Sequence, residues 1–194
     1  MERETTLFAD YLKMIINDAT IEVHVPYILK HFTFTQLKKN AFLVEEHTVC
    51  NSFSYIVYGI LQHSITVNDE EKTTYLALKN SCVSSLKSFI NKSKSRKNIK
   101  SLSDCTLWSI NHEDFHFLLK ENQAFNRFYY NLIERQIYFI DDHRIDLLTL
   151  SPEERYQKLL ENDPKLLQQV PLRYLSSFLG ISLRSMSRIR KNSN

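Results

Sequence analysis

The chain has 194 residues, 43% of them apolar and 12% aromatic, enough to bury a sizeable core and too apolar for a disordered segment. Its formal net charge of +3 divides unevenly: residues 1–150 hold 17 Lys/Arg against 18 Asp/Glu, residues 151–194 hold 8 against 4, and from Pro171 onward five basic residues face no acidic one. A basic terminus on a nearly neutral body is the footprint of a polyanion binder, and the longest stretch free of Asp, Glu, Lys and Arg, His47 to Asn68, is too polar for a membrane span.

In chain order, Met1-Glu2-Arg3-Glu4 lacks the basic region and apolar stretch of a secretory signal, which points to a cytoplasmic protein. Residues 7–16 read as a short helix and 22–32 as a second, with Pro26 in its first turn. The periodicity then turns to alternation over 32–35. Short strands are predicted at 41–44, 55–58, 61–67, 73–78 and 106–110, with turns at Gly59 and at the polar run 68–72. Many short strands at regular spacing indicate a β-sandwich or jelly roll rather than a parallel α/β sheet. The run 91–100, holding Lys92, Lys94, Arg96, Lys97 and Lys100, predicts an exposed loop. Cys50, Cys82 and Cys105 form no C-x-x-C pair, so they read as small core residues rather than a disulfide framework or a zinc site.

Helical periodicity returns at Asn111, an N-cap with Asp114 at N3 and Phe115, Leu118 and Leu119 on one face. A longer helix is predicted from about 124 to 148. Its apolar residues form two stripes, Phe125, Tyr129, Leu132 and Phe139 on one, and Tyr130, Ile133, Ile137, Ile140 and Leu147 on the other. A helix with two apolar faces needs two partners: the β domain, and its own copy across a two-fold axis. Ser151-Pro152-Glu153-Glu154 then starts another helix, with an N-cap Ser, Pro at N1 and carboxylates at the positive end of the dipole. It ends near 162–164, and the tail from Lys165 predicts a small, separate helical unit.

Residues 172–191, LRYLSSFLGISLRSMSRIRK, have the layout of a helix-turn-helix. With Gly180 as the left-handed turn residue, Leu175, Leu179, Ile181, Met186 and Ile189 fall on the seam positions, and the small Ser176 lies where the helices cross most closely. Ser182 is the expected N-cap of the second helix. Arg184, Arg188 and Lys191 follow at i, i+4 and i+7, with Ser185 and Ser187 beside them. Arginine can fork onto guanine, serine can bond bases or phosphates, and Leu183 can touch a thymine methyl, while Arg173 and Arg190 are placed for phosphates. Double-stranded DNA is the expected partner.

The motifs LSPEERY (150–156), LLQQVP (166–171), YLSSFLGIS (174–182) and MSRIR (186–190) closely resemble the C-terminal domain of the Crp/Fnr family, named for the cyclic-AMP receptor protein. The likeness is to short-tailed members common in Bacteroidetes. It implies an α+β fold: an N-terminal β-roll (a jelly roll of cyclic-nucleotide-binding type) over 1–121, a dimerisation helix over 122–150 and a helix-turn-helix domain over 151–194. It further implies a homodimer acting as a transcription regulator, base reading by Leu183, Arg184 and Arg188, a small-molecule effector, and RNA polymerase as a further partner.

Two departures qualify the effector. The family's cyclic-nucleotide cassette has a Gly-Glu pair for the ribose hydroxyl, and an Arg followed by Ser or Thr for the cyclic phosphate. Here the first region reads Cys82-Val83-Ser84-Ser85-Leu86, and the expected Arg aligns with Ser95, next to Arg96. Ser85, Ser95 and Arg96 are therefore the candidate effector residues, and cyclic AMP is not the expected ligand. Three cysteines cannot supply the four ligands of the iron–sulfur variant. The family's wing hairpin after the second helix has no counterpart before Asn194. No cofactor and no catalytic residues are expected.

The alternative class is an effector-binding or scaffolding jelly roll, or a cupin-like metalloprotein, without DNA binding. Its best residues are His112 and His116, at an i, i+4 spacing that can chelate zinc but with no evident third ligand.

Overall fold

Alternating apolar residues in the first half of the chain give strands, and a 3.6-residue period on either side gives helices. The computed structural model describes residues 1–192; Ser193 and Asn194, the last two residues of the domain expected over 151–194, lie outside the described residues. Helix α1 (Glu2–Ile16) buries Phe8, Tyr11, Leu12, Ile15 and Ile16, a single stripe at helical spacing, and stops at Asn17 in the left-handed region (φ 51°). It begins five residues before the expected position 7. The extra turn is polar, so it carries no apolar period, and Glu2 and Glu4 stabilise it at the positive end of the helix. A 3-10 turn (Glu22–His24) and α2 (Val25–Leu29) follow.

Among the described residues eight antiparallel strands form two facing sheets. The first is ordered β1 (Thr33–Leu37), β8 (Cys105–Asn111), β3 (Ser52–Tyr58), β6 (Cys82–Val83); the second β2 (Phe42–Val44), β7 (Asn98–Ser101), β4 (Leu61–Val67), β5 (Glu70–Ala77). The β4–β5 hairpin closes in two residues, with Val67 opposite Glu70 and Asn68 and Asp69 both at positive φ (50° and 62°). That primed turn matches the strand twist, so β5 starts at Glu70 rather than at 73. The exposed loop expected over 91–100 is corrected. Helix α3 (Leu86–Asn91) enters it, and β7 leaves it in the sheet interior between β2 and β4. Only Ile99 and Ser101 of β7 point inward, and one apolar residue among lysines gives no strand signal.

The sandwich is filled by aromatic rings. Phe8 stacks on Tyr55 at 4.6 Å, and Phe115 meets Phe89, Phe125 and Tyr129 edge to face. Helix α4 (His112–Glu121) starts as expected, the Asn111 side chain accepting the Asp114 N–H at 2.9 Å. Helix α5 (Gln123–Thr149) buries only Ala124, Phe125 and Phe128, then runs out along the roll. The capping box at Ser151 and Glu154 opens α6 (Pro152–Asn162), followed by α7 (Pro164–Gln169), α8 (Leu172–Phe178) and α9 (Leu183–Asn192). These C-terminal helices share an apolar cluster with Ile60, Leu76 and Leu102 of the roll, and the Thr73 N–H donates to Ser177 Oγ at 2.8 Å. The C-terminal unit thus packs against the second sheet.

Candidate nucleic-acid interface and ligand cavity

The α8–α9 pair is held by the seam the glycine spacing indicates. Leu175, Leu179, Ile181, Met186 and Ile189 are all buried, and so is Ser176, whose hydroxyl donates to the Arg173 carbonyl at 2.9 Å. Gly180 sits at φ 64°, and the Ile181 N–H after it donates to the Ser176 carbonyl at 2.8 Å, closing the end of α8. Ser182 caps α9: its Oγ accepts the Ser185 N–H at 3.1 Å and pairs with the Ser185 hydroxyl at 2.9 Å. Ser187 donates to the Leu183 carbonyl one turn back.

Opposite the seam, Leu183, Arg184, Ser187, Arg188, Arg190 and Lys191 are exposed, and Ser185 is half-buried. Among the described residues Arg184, Arg190 and Lys191 have no carboxylate within ion-pair distance. Arg188 meets Glu153 of α6 at 3.3 Å, with both side chains more than half exposed. Such a solvated pair holds loosely, by roughly 1 kcal/mol at most. Arg173 lies outside this helix, its guanidinium 4.3 Å from the ring centroid of Tyr174 and bonded to the Tyr174 hydroxyl. The geometry leaves a basic helix face free to enter a groove, with its serine hydroxyls occupied by helix contacts.

A second feature lies under the roll. A cavity of about 870 Å³ opens between the sheets, α1 and the middle of α5, bordered by Tyr11, Tyr75, Cys82, Lys97, Leu132 and Phe139 among others. Of the expected effector residues, Ser85 and Ser95 are both buried and bonded to each other, the Ser95 hydroxyl meeting Ser85 Oγ at 2.8 Å. Arg96 is exposed, and none of the three borders the cavity. Its neighbour Lys97 does, and its Nζ donates to Nδ1 of the buried His63 at 3.1 Å. Burial holds His63 well below the ordinary histidine range, with the Lys97 charge pushing the same way. Burial also lowers Lys97. Cys82, half-buried rather than in the core, has its thiol pushed up to about 12 by burial. Sequence reasoning passed over His63 and Lys97 because one lies in an apolar strand and the other in a basic run; only the β4–β7 pairing brings them together.

His112 and His116 face each other with ring centroids 4.3 Å apart, and His112 Nε2 lies 3.3 Å from the Ile90 carbonyl. Among the described residues no cluster of three or more His, Cys, Asp or Glu is arranged to hold a metal. No helix of the described residues is long and apolar enough to cross a membrane.

Residues 34–122 match the family model of the Cyclic nucleotide-binding domain. No curated protein sequence matches the chain. Among solved structures, FixK2 from Bradyrhizobium japonicum aligns with a TM-score of 0.71 at 15% identity, over 83% of each chain. The c-di-GMP responsive global regulator CLP of Xanthomonas campestris gives 0.68 at 14%, over 88% of this chain and 90% of that one. A putative transcriptional regulator of the crp/fnr family from Eubacterium rectale gives 0.67 at 14%, over 88% and 82%. The chain has the fold of these regulators, from roll through long helix to C-terminal helices.

Proposed function

We propose that this chain, built on the fold of the Crp/Fnr regulators, is a sequence-specific DNA-binding transcription regulator that works as a homodimer. The observation that carries the reading is α9: a capped helix, pinned through Gly180 on a buried seam, whose outer face presents Arg184, Arg188 and Lys191 to solvent. A helix so mounted enters the major groove, with arginines forking onto guanine O6 and N7. Arg173 and Arg190 serve as phosphate contacts, and Ser182, Leu183, Ser185 and Ser187 complete the surface against the DNA. The roll is the sensor. Cyclic AMP does not suit its cavity, since among the described residues no Asp or Glu borders it to hold a ribose hydroxyl.

The test is binding-site selection from random duplexes with wild type and Arg188→Ala. Two copies of α9 across a two-fold axis enter successive major grooves about 34 Å apart, so a near-palindrome with half-sites about one helical turn apart is expected. Arg188→Ala should cost about 1–3 kcal/mol per half-site and relax one base position, whereas Arg173→Ala should weaken all sequences alike and lower the salt slope by about one unit. No palindrome, or an unchanged motif without Arg188, overturns the reading.

A further inference from the structure

The cavity beneath the roll is bordered by a half-buried cation that has no counter-ion among the described residues. Lys97 borders it, donates to His63 Nδ1, and among the described residues has no carboxylate within ion-pair distance. Because Nδ1 accepts, the neutral imidazole carries its proton on Nε2, and that buried nitrogen has no hydrogen-bond partner. Lys97 Nζ thus gives one hydrogen bond to His63 and, among the described residues, meets no counter-ion, a cost that a bound anion would relieve. The charged residues along the border are Lys97, Arg135 and Arg144, with no acid among them. The wall running away from Lys97 is largely apolar or aromatic, including Ile15, Tyr75, Leu132, Phe139 and Ile140.

We infer that the cavity binds an apolar acid: a ligand with a single carboxylate head at Lys97 and an alkyl or aryl body laid against α5. The head pairs with Nζ, and that ion pair becomes strong in a site partly shielded from water. The body supplies the apolar surface that the volume calls for. A cyclic nucleotide fits this site less well, because its sugar hydroxyls meet no carboxylate. The inference rests on reading the roll as the sensor, but not on the chain's binding to DNA.

The experiment uses the full chain, free of DNA, at about pH 7.5, with calorimetry and thermal unfolding on three probes: octanoate, octan-1-ol and cyclic AMP. Octanoate should bind about tenfold or more tighter than the alcohol and raise Tm, since only the acid neutralises Lys97. Lys97→Met should abolish that preference while its own ligand-free Tm holds or rises, because a half-buried charge without a counter-ion is gone. Lys97→Gln gives the same readout should the methionine variant fail to fold. Lys94→Gln, exposed and off the cavity, should change nothing. Equal binding of acid and alcohol, a preference that survives the loss of Lys97, or tighter binding of cyclic AMP than of octanoate overturns the inference. Failure of the operator selection with octanoate binding intact would leave this inference standing and sink the DNA reading alone.

Discussion

Two glycines stand in the whole chain, and they are not equivalent. A Cβ at Gly59 (φ 101°) would lie 2.4 Å from Cys105 Sγ and 2.7 Å from the Asp104 carbonyl oxygen, so backbone must move. At Gly180 (φ 64°) the only near neighbour among the described residues is the flexible end of Leu147, at 3.2 Å. Gly180→Ala should therefore cost only the left-handed conformation, about 1–2 kcal/mol, and Gly180→Asn less. Gly59→Ala should cost more, about 3 kcal/mol or above, from clash added to strain. Urea denaturation that reversed this order would contradict the turn geometry. A second residue sets the acid limit. His63 is held neutral well below its ordinary 6.5, and His143 and His116 are lowered too, burial being the largest cause for each. The unfolded chain protonates these rings near 6.5 while the folded one resists. Stability is therefore full above that pH and falls as the pH drops through it. Lowering the pH from about 7.5 to about 5.5 should lower Tm, and His63→Gln, which still accepts from Lys97 but does not titrate, should flatten the drop. An equal drop in both proteins would show that His63 contributes nothing.

At the scale of elements, what the sequence discloses depends on whether an element carries its own punctuation. Helices α4 and α6 announce themselves through Asn111–Asp114 and Ser151–Glu154, and the bonds these caps imply are present at 2.7 to 3.3 Å. The α8–α9 pair is legible because its seam offsets are fixed by one turn residue. Strand β7 and the two-residue β6 carry no such mark: each is defined by its neighbours, β7 between β2 and β4, and β6 on the edge beside β3. The cavity is hidden for the same reason. His63 and Lys97 lie 34 positions apart, and nothing local to either residue says that β4 and β7 will pair. The basic face of α9 is legible because one helix carries it whole; the cavity wall is not, because α1, several strands and α5 each supply a part of it.

The whole molecule turns on α5, which joins cavity to C-terminal helices and leaves a second face bare. His143 stacks parallel on Phe178 of α8 at 4.4 Å, Leu147 approaches Gly180, and Arg155 bonds the Leu147 and Leu150 carbonyls at 3.2 and 2.9 Å. His143 and Leu147 also border the cavity, so these side chains touch both the cavity and the C-terminal helices. On the face turned away from the sandwich Tyr130, Ile133, Ile137 and Ile140 recur at intervals of three, four and three, the 3.5-residue repeat of a two-helix seam, with Ile133 and Ile140 also at the cavity's border and Leu147 turned to Gly180. Of these, Tyr130 is 64% exposed, Ile137 57% and Ile140 56%, a cost that a lone helix would not sustain. In the proposed homodimer a second α5 across a two-fold axis would cover the stripe and carry the two α9 helices to one face. Ile137 borders no part of the cavity and is exposed within one chain, so Ile137→Glu should leave the single chain folded while placing two like charges at the seam. Light scattering should then fall from twice 23.0 kDa to 23.0 kDa. Operator affinity should drop by about 10²-fold, since each half-site is then bound alone. The preference for octanoate over octan-1-ol should persist, since Lys97, which sets it, lies beside β7 and not on α5. A wild-type monomer at micromolar concentration, or an Ile137→Glu protein that still dimerises, would mean that α5 is not the dimer seam.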